Sequence, residues 1–290
     1  MNSLSPTIII TGANGFIGSA LVSHFASKNW KVIALVHHLP KEKIEEVIYK
    51  EYNLSVSPDE QLFVDADYLI HGAYVKHDCH PDAYEINVQG AKNILSLSRK
   101  YNLKKSIFLS SISSRVDALS NYGKQKFAIE KLFNTDKDLV IRPGLVIGNG
   151  GLVKEMTEFI KKKGVVPLIG GGKQSIQTVA VDDLIQFIDR ALLNEFTGTI
   201  TIAEQNSITY KEFYKALSKQ INVKPLFIPM PFFIAEVILS VSKIIGMKLP
   251  VTKENLLGLK NNEYTNTSDD LKIIGMRLKT YKESIEGIKS

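Results

Sequence analysis

Two hydrophobic periods alternate along this chain: short unbroken apolar runs, and longer stretches in which apolar residues recur every three or four positions. Thr7-Ile8-Ile9-Ile10 is a β-branched run of the kind that parallel sheets bury on both faces. Ala20-Leu21-Val22-Ser23-His24-Phe25-Ala26 then follows with helical spacing. Strand-like runs return at 31–36, 49–54, 67–73, 106–109 and 139–148, and helical patterns fall at 42–49, 84–95 and 122–130. From Gly198 onward a strand at 199–203 precedes a helix at 209–220, with Thr209 or Ser207 available as its cap. Pro229-Met230-Pro231 opens an apolar helix through Ile245; Glu236, Ser240, Ser242 and Lys243 interrupt it, and it is too short to span a bilayer. It is expected as the buried helix of a substrate-binding region, with peripheral membrane contact as the lesser alternative. Strands alternating with helices in this way predict an α/β fold built on a parallel sheet.

The first strand and helix are joined by Thr11-Gly12-Ala13-Asn14-Gly15-Phe16-Ile17-Gly18. Strand, glycine-rich turn and helix form the context of a dinucleotide-binding fingerprint. Gly12 lets the chain turn out of the strand, Gly15 leaves the backbone bare toward a pyrophosphate, and Gly18 allows close helix packing. Amides at the helix start, with the positive end of its dipole, would face the phosphates.

With its T-G-x-x-G-x-x-G spacing and F-I-G ending, this turn resembles the extended branch of the short-chain dehydrogenase/reductases, the NAD-dependent epimerase/dehydratase family. Further segments match the family in order. Residues 67–73 resemble its V-x-H-x-A-A strand, and residues 84–95, with Asn87, resemble its N-V-x-G-T-x-N-L helix. Ser110-Ser111 ends a strand ahead of Tyr122-x-x-x-Lys126, and residues 139–148 resemble L-R-P-x-x-V-x-G. Gly170-Gly171-Gly172-Lys173 lacks the spacing of a phosphate-binding Walker loop and resembles the family's G-x-G-K turn before Val181-Asp182-Asp183-Leu184. The resemblance implies a Rossmann-type doubly wound parallel sheet with a smaller C-terminal α/β substrate-binding region. The dinucleotide-binding domain is expected at 1–165, with 179–197 returning to it. The substrate-binding cap is expected at 166–178 and 198–290.

Tyr122 and Lys126 stand four apart, so a helix places them one above the other on one face. Tyrosine with a pKa of about 10 is a poor base at neutral pH, and an ammonium one turn away favours its phenolate; a shift of about 3 units corresponds to roughly 4 kcal/mol. The resemblance gives Tyr122 the proton transfer, Lys126 a hydrogen bond to the nicotinamide ribose, and Ser111, rather than Ser110 or Ser113, the substrate oxygen. It implies cofactor contacts from Gly12, Asn14, Gly15, Phe16, Ile17, Gly18, His37, Asn53, Leu54, Gly72, Ala73, Tyr122, Lys126 and Pro143, and it places Asn87 near the active site, holding water or backbone. His71 reads as a packed strand-end histidine.

Where relatives that use NAD carry an acid after the second strand, this chain has His37-His38, with Lys41 and Lys43 close behind, and the charge leans toward NADP over NAD. The family's dehydratases carry Asp-Glu where this chain has Ile112-Ser113, so dehydration is not expected. What is left is oxidation or reduction of a secondary alcohol. The expected activity is reduction of a 4-keto nucleotide sugar by NADPH, with 4-epimerisation as the alternative and a non-catalytic NAD(P)-binding accessory subunit behind both.

Composition narrows the rest. The 290 residues carry a net charge of +6, but only five of the 36 basic residues are arginine and the lysines are spread out, which fits a solvated surface better than a nucleic-acid site. One cysteine, Cys79, excludes an intramolecular disulfide and suits a reducing cytosol; with no secretory signal or membrane span in view, a cytoplasmic protein is expected. His77-Asp78-Cys79-His80 holds no second ligand pair, so no metal is expected. The expected partner is a small molecule, a nucleotide sugar; a homodimer stays open.

Overall fold

A computed structural model describes residues 5–76, 80–244 and 251–289. Its frame is a seven-stranded sheet. β1 (Thr7–Thr11), β2 (Lys31–Val36), β3 (Val47–Glu51), β4 (Tyr68–His71), β5 (Lys105–Leu109) and β6 (Leu139–Pro143) lie in the order β6-β5-β4-β1-β2-β3 and pair in parallel. Ile8, Ile9 and Ile10 are fully buried, which explains the unbroken apolar run; each contributes about 1.5–3 kcal/mol of burial. Helices α1 (Phe16–Ser27), α2 (Ala83–Lys100) and α3 (Asn121–Glu130) cross from β1 to β2, β4 to β5 and β5 to β6. β1 pairs with β2 on one side and β4 on the other, Thr11 standing opposite Leu35 and His71. The strand order reverses between β1 and β4, and at such a switch point ligands sit beyond the strands' carboxyl ends.

The helix expected at 42–49 does not form. Ile44, Val47 and Ile48 have the spacing of one helical face, but Val47 and Ile48 pair with Val32 and Ile33 of β2, which leaves the charged stretch 41–46 only Ile44 to bury. The connection is made by turns, with the Val47 N–H bonded to the Ile44 carbonyl, and the strand expected at 49–54 begins earlier, at Val47.

The chain divides into two compact units, residues 1–116, 124–142 and 185–200 in the first, and 117–123, 143–184 and 201–290 in the second. Residues 143–165, expected with the dinucleotide-binding domain, group with the second. That unit holds β7 (Leu145–Ile147), α4 (Gly151–Lys163), β8 (Val165–Ile169), β9 (Ser175–Ile176), β10 (Thr178–Ala180) and, after α5 (Val181–Leu193) and the sheet's last strand β11 (Gly198–Ile202), β12 (Ile208–Thr209), α6 (Tyr210–Gln220), β13 (Leu226–Met230), α7 (Phe232–Ile244), α8 (Lys253–Lys260), α9 (Ser268–Ile274) and α10 (Tyr281–Glu286). Val153 and Ile160 of α4, Val166 and Leu168 of β8, and Phe213 and Leu217 of α6 form one buried cluster, which is why α4 belongs here. Thr209, not Ser207, caps α6, in a capping box with Glu212. α7 departs from expectation: only one of its faces is buried. Among the described residues no helix is long and apolar enough to cross a membrane.

Candidate active site

β1 delivers the chain to Gly12, whose φ is +70°; a Cβ there would stand 2.7 Å from the Ala73 nitrogen. Only glycine meets both conditions, and the ends of β1 and β4 are held at backbone contact as a result. A Cβ on Gly18 would meet the Gly12 carbonyl at 2.2 Å, so α1 packs down onto the turn. α1 starts from Gly15 with no side-chain cap and no acid in its first turn, whereas α6, α8 and α10 each start with a capping box. The first amides of α1 and its positive dipole end are therefore not answered by the chain's own cap or acid. That is the arrangement a phosphate takes up.

At the ends of β2 and β3 a cleft of about 480 Å³ is lined by His37, Lys50, Glu51, Tyr52, Asn53 and Asp59 among others. Asn14 reaches across and donates its amide to the His38 carbonyl at 2.5 Å. The Asn53 side-chain oxygen accepts from the Ser55 N–H and hydroxyl, closing a local turn. Leu54, expected against the cofactor, instead packs in the core with Ile94 and Phe63 under Gly90 of α2. Glu51 is the acid that a reading of β2 alone does not find: it lines the cleft from β3, its carboxylate 3.4 Å from the Leu39 N–H.

The Thr11 hydroxyl accepts from the Gly72 and Ala73 N–H groups, each at 3.1 Å, so its own proton goes to His71 Nδ1 at 2.8 Å. His71 is thus neutral with its proton on Nε2, 1 % exposed and stacked on Phe108. Burial, and then the Lys126 charge, hold its pKa down at about 3. The stability this lends is complete above the unfolded pKa of about 6.5 and is lost as pH falls toward 3, because the unfolded chain binds a proton the folded one refuses. Unfolding free energies from urea titration should therefore fall further between pH 7 and pH 4 for the wild type than for His71→Gln, by an amount on the order of 2–5 kcal/mol. Equal falls in the two proteins would remove His71 from the account.

α3 carries Tyr122, Lys126 and Glu130 on successive turns. Lys126 is buried, and its Nζ donates to the Leu109 carbonyl at 2.7 Å at the end of β5, over the rings of Phe108 and Tyr74. Burial pushes its pKa down to about 7, and the Glu130 carboxylate opposes that shift. Ser110 is buried and donates to Glu130 Oε1 at 2.5 Å, while Ser111 is half-buried and its Oγ accepts the Ser113 N–H at 3.1 Å. Asn87, on α2, clasps both backbone groups of Val75 and donates to Gln125 Oε1, so it secures the loop after β4. At the start of α3, Glu254 of α8 accepts from the Asn121 side chain at 2.9 Å and the Tyr122 N–H at 3.2 Å.

A family model described as the NAD dependent epimerase/dehydratase family matches residues 8–203. The chain belongs to this family. Among curated relatives, it is 24% identical over 226 residues to the N-acetyl-alpha-D-glucosaminyl-diphospho-ditrans,octacis-undecaprenol 4-epimerase of Escherichia coli O157:H7. That match takes in 67% of this chain and 66%, a little under two thirds, of the relative. It is 23% identical over 235 residues to the ceramide reductase of Caulobacter vibrioides, covering 77% of this chain and 73% of that one. Among solved structures, the UDP-glucose 4-epimerase of Thermotoga maritima, crystallised with UDP-glucose, superposes with a TM-score of 0.73 at 20% identity, over 97% of this chain and 96% of that one. The shared fold is the Rossmann-type α/β sheet.

Within this NAD-dependent family chain the sequence-derived residues fall into separate places. Gly12 to Gly15 form the turn between β1 and α1 and Phe16 to Gly18 the first turn of α1, Gly72 and Ala73 follow β4 against it, His37 and Asn53 line the cleft, Pro143 is the buried end of β6, and Tyr122 and Lys126 share one helix. Three residues escaped the sequence reading: Glu51, Glu130 and Glu254. Glu130 had a signal in Arg142 of the L-R-P segment, which it grips; the other two had none. Of the His77-Asp78-Cys79-His80 loop, only His80 lies within the described residues.

Proposed function

We propose that this chain oxidises and reduces a secondary alcohol carbon of a sugar carried on a diphosphate, using a nicotinamide dinucleotide held by the Gly12–Gly18 turn. The observation that carries this is Tyr122 one turn from a buried Lys126 whose Nζ is anchored at the end of β5, two residues before Ser111. The cofactor, when bound, takes up or returns the hydride. Ser111 hydrogen-bonds the reacting oxygen, Tyr122 takes the hydroxyl proton as the carbonyl forms and gives it back on reduction, and the Lys126 ammonium favours the phenolate. Ser110 is committed to Glu130, which supports Ser111 for the substrate contact. Ile112 and Ser113 supply no acid or base for removing water, so the chemistry stops at hydride transfer.

The first reading is 4-epimerisation, the reaction named for the Escherichia coli relative and the Thermotoga maritima structure. Glu51 in the cleft fits it, since a carboxylate there accepts from the ribose hydroxyls of NAD. The second reading is a 4-keto reductase spending NADPH, favoured by His37 and Lys50 at the same cleft and by the reductase among the relatives. Stoichiometry separates them. With UDP-sugars and an undecaprenyl-diphosphate sugar as trial substrates, the epimerase interconverts two epimers without net change in absorbance at the nicotinamide band. One NADPH consumed per product would establish the reductase instead. Fluorescence titration gives the matching cofactor result: NADH binding tighter than NADPH is expected for the epimerase, and the reverse order would transfer the assignment to the reductase.

A further inference from the structure

The second unit contains a largely apolar helix, and it packs only one side of it. Phe232, Ala235 and Leu239 of α7 turn toward Ile169, Leu256 and Leu259. On the other side Phe233 (65 % exposed), Ile234, Val237 (58 % exposed), Ile238 and Val241 stand in solvent. Their spacing of i, i+1, i+4, i+5 and i+8 makes one continuous stripe along the helix. Leu226 and Ile228, on the strand β13 that leads into α7, are exposed as well. Scattered apolar residues need no explanation, but a stripe of this length is a surface waiting for a partner.

Charge says which partner. The one acidic residue of α7, Glu236, is ion-paired to Lys260 of α8 and so presents little net charge. The last turn of α4 is Lys161-Lys162-Lys163, all exposed, and the next residue, Gly164, accepts the Leu226 N–H at 2.8 Å. Three lysines therefore sit at the Leu226 end of the β8–β13 ribbon, joined by exposed Lys224. Between Lys224 and Lys253 the sequence holds four lysines and a single acid. β13 therefore runs from these lysines, past exposed Leu226 and Ile228, to the start of α7, and apolar residues with cations at one end are complementary to anionic lipid headgroups with acyl chains behind them. Thirteen helical residues reach about 20 Å, short of the ~30 Å hydrocarbon core, so α7 can lie in a membrane surface and cannot cross it.

We propose that the outer face of α7, with Leu226 and Ile228, docks on the surface of an anionic lipid bilayer, with Lys161, Lys162, Lys163 and Lys224 against the headgroups. This stands on residues remote in sequence from Tyr122 and Lys126 and is independent of the reaction assigned to them. Co-sedimentation tests it, using vesicles of phosphatidylcholine alone and of phosphatidylcholine mixed with phosphatidylglycerol. The wild type is expected to sediment with the mixed vesicles, about tenfold less with phosphatidylcholine alone, and less as salt rises. Phe233→Glu/Val237→Glu should lower partitioning by about tenfold or more with an unchanged thermal midpoint, since both side chains are exposed. Lys161→Gln/Lys162→Gln/Lys163→Gln should lower it and flatten the salt dependence. A wild type that stays in the supernatant with both vesicles overturns the proposal, as does binding that the Phe233/Val237 variant retains. A wild-type dimer, by light scattering, that this variant turns into a monomer while neither protein binds vesicles would give the face to a second copy of the chain.

Discussion

Tyr122→Phe should fold as the wild type does, bind its cofactor with little change, and turn over about two to four orders of magnitude more slowly. The substitution removes one hydroxyl and nothing of the helix. Glu254 still accepts the N–H of residue 122, and Lys126 Nζ remains on the Leu109 carbonyl. What disappears is the group proposed to receive the substrate proton, a contribution made in the transition state, so kcat and kcat/KM should fall together while KM stays near its starting value. Steady-state kinetics beside a fluorescence titration with NADH make the comparison. A variant within threefold of wild-type kcat would take the proton transfer away from Tyr122, and a variant that lost cofactor affinity in proportion to rate would recast the residue as a binding group.

The largest effect on stability is expected at Glu130. Its Oε1 accepts from Ser110 Oγ and from Arg142 Nε, its Oε2 from Arg142 Nη2 at 2.5 Å, so one buried carboxylate joins the end of α3 to β6 and to the turn after β5. Glu130→Ala removes the acceptor of the buried Ser110 hydroxyl and the two hydrogen bonds and ion pair that Glu130 gives Arg142. Breaking a buried pair from one side costs about 3–5 kcal/mol, and because Arg142 keeps some contact with water roughly 2–4 kcal/mol is the better figure here. For a chain of this size that lowers Tm by roughly 3–7 °C. Glu130→Gln keeps an acceptor for Ser110 and should lose less. Thermal unfolding of the three proteins decides it, and an unchanged midpoint for Glu130→Ala would show that the pair contributes nothing net.

Both residues lie on the helix that the sequence singled out, yet only one of them was found there. Tyr122 and Lys126 were legible because helix geometry turns a spacing of four into a shared face, and because a strand ending in two serines preceded them. Glu130 continues the same face, but its role depends on Ser110 and Arg142, which reach it from 20 and 12 residues away. Glu254 supports the start of α3 from 132 residues away, a separation that leaves no mark on local spacing. Glu51 was overlooked for a related reason. The acid was sought at the end of β2, and the structure supplies one from β3, which the parallel register sets alongside, Val36 opposite Glu51.

Determined by the sequence itself, then, were the buried strands, the glycine turn, the Tyr–Lys pair and the Asn87 helix, each a matter of residues within a turn or two of one another. Periodicity and glycine geometry act over that range, and tertiary packing had only to accept them. The tertiary structure alone decided where apolar surface finds a partner. Leu54 went to the core because Gly90 left room for it, and the segment at 42–49 made no helix because Val47, Ile48 and Tyr49 paired with β2 as the start of β3. α7 buried one side and left the other out because the unit around it offers one apolar surface, formed by Ile169, Leu256 and Leu259. Hydrophobic pattern records how much apolar surface a helix carries; which of its faces is covered depends on neighbours that come from elsewhere in the chain.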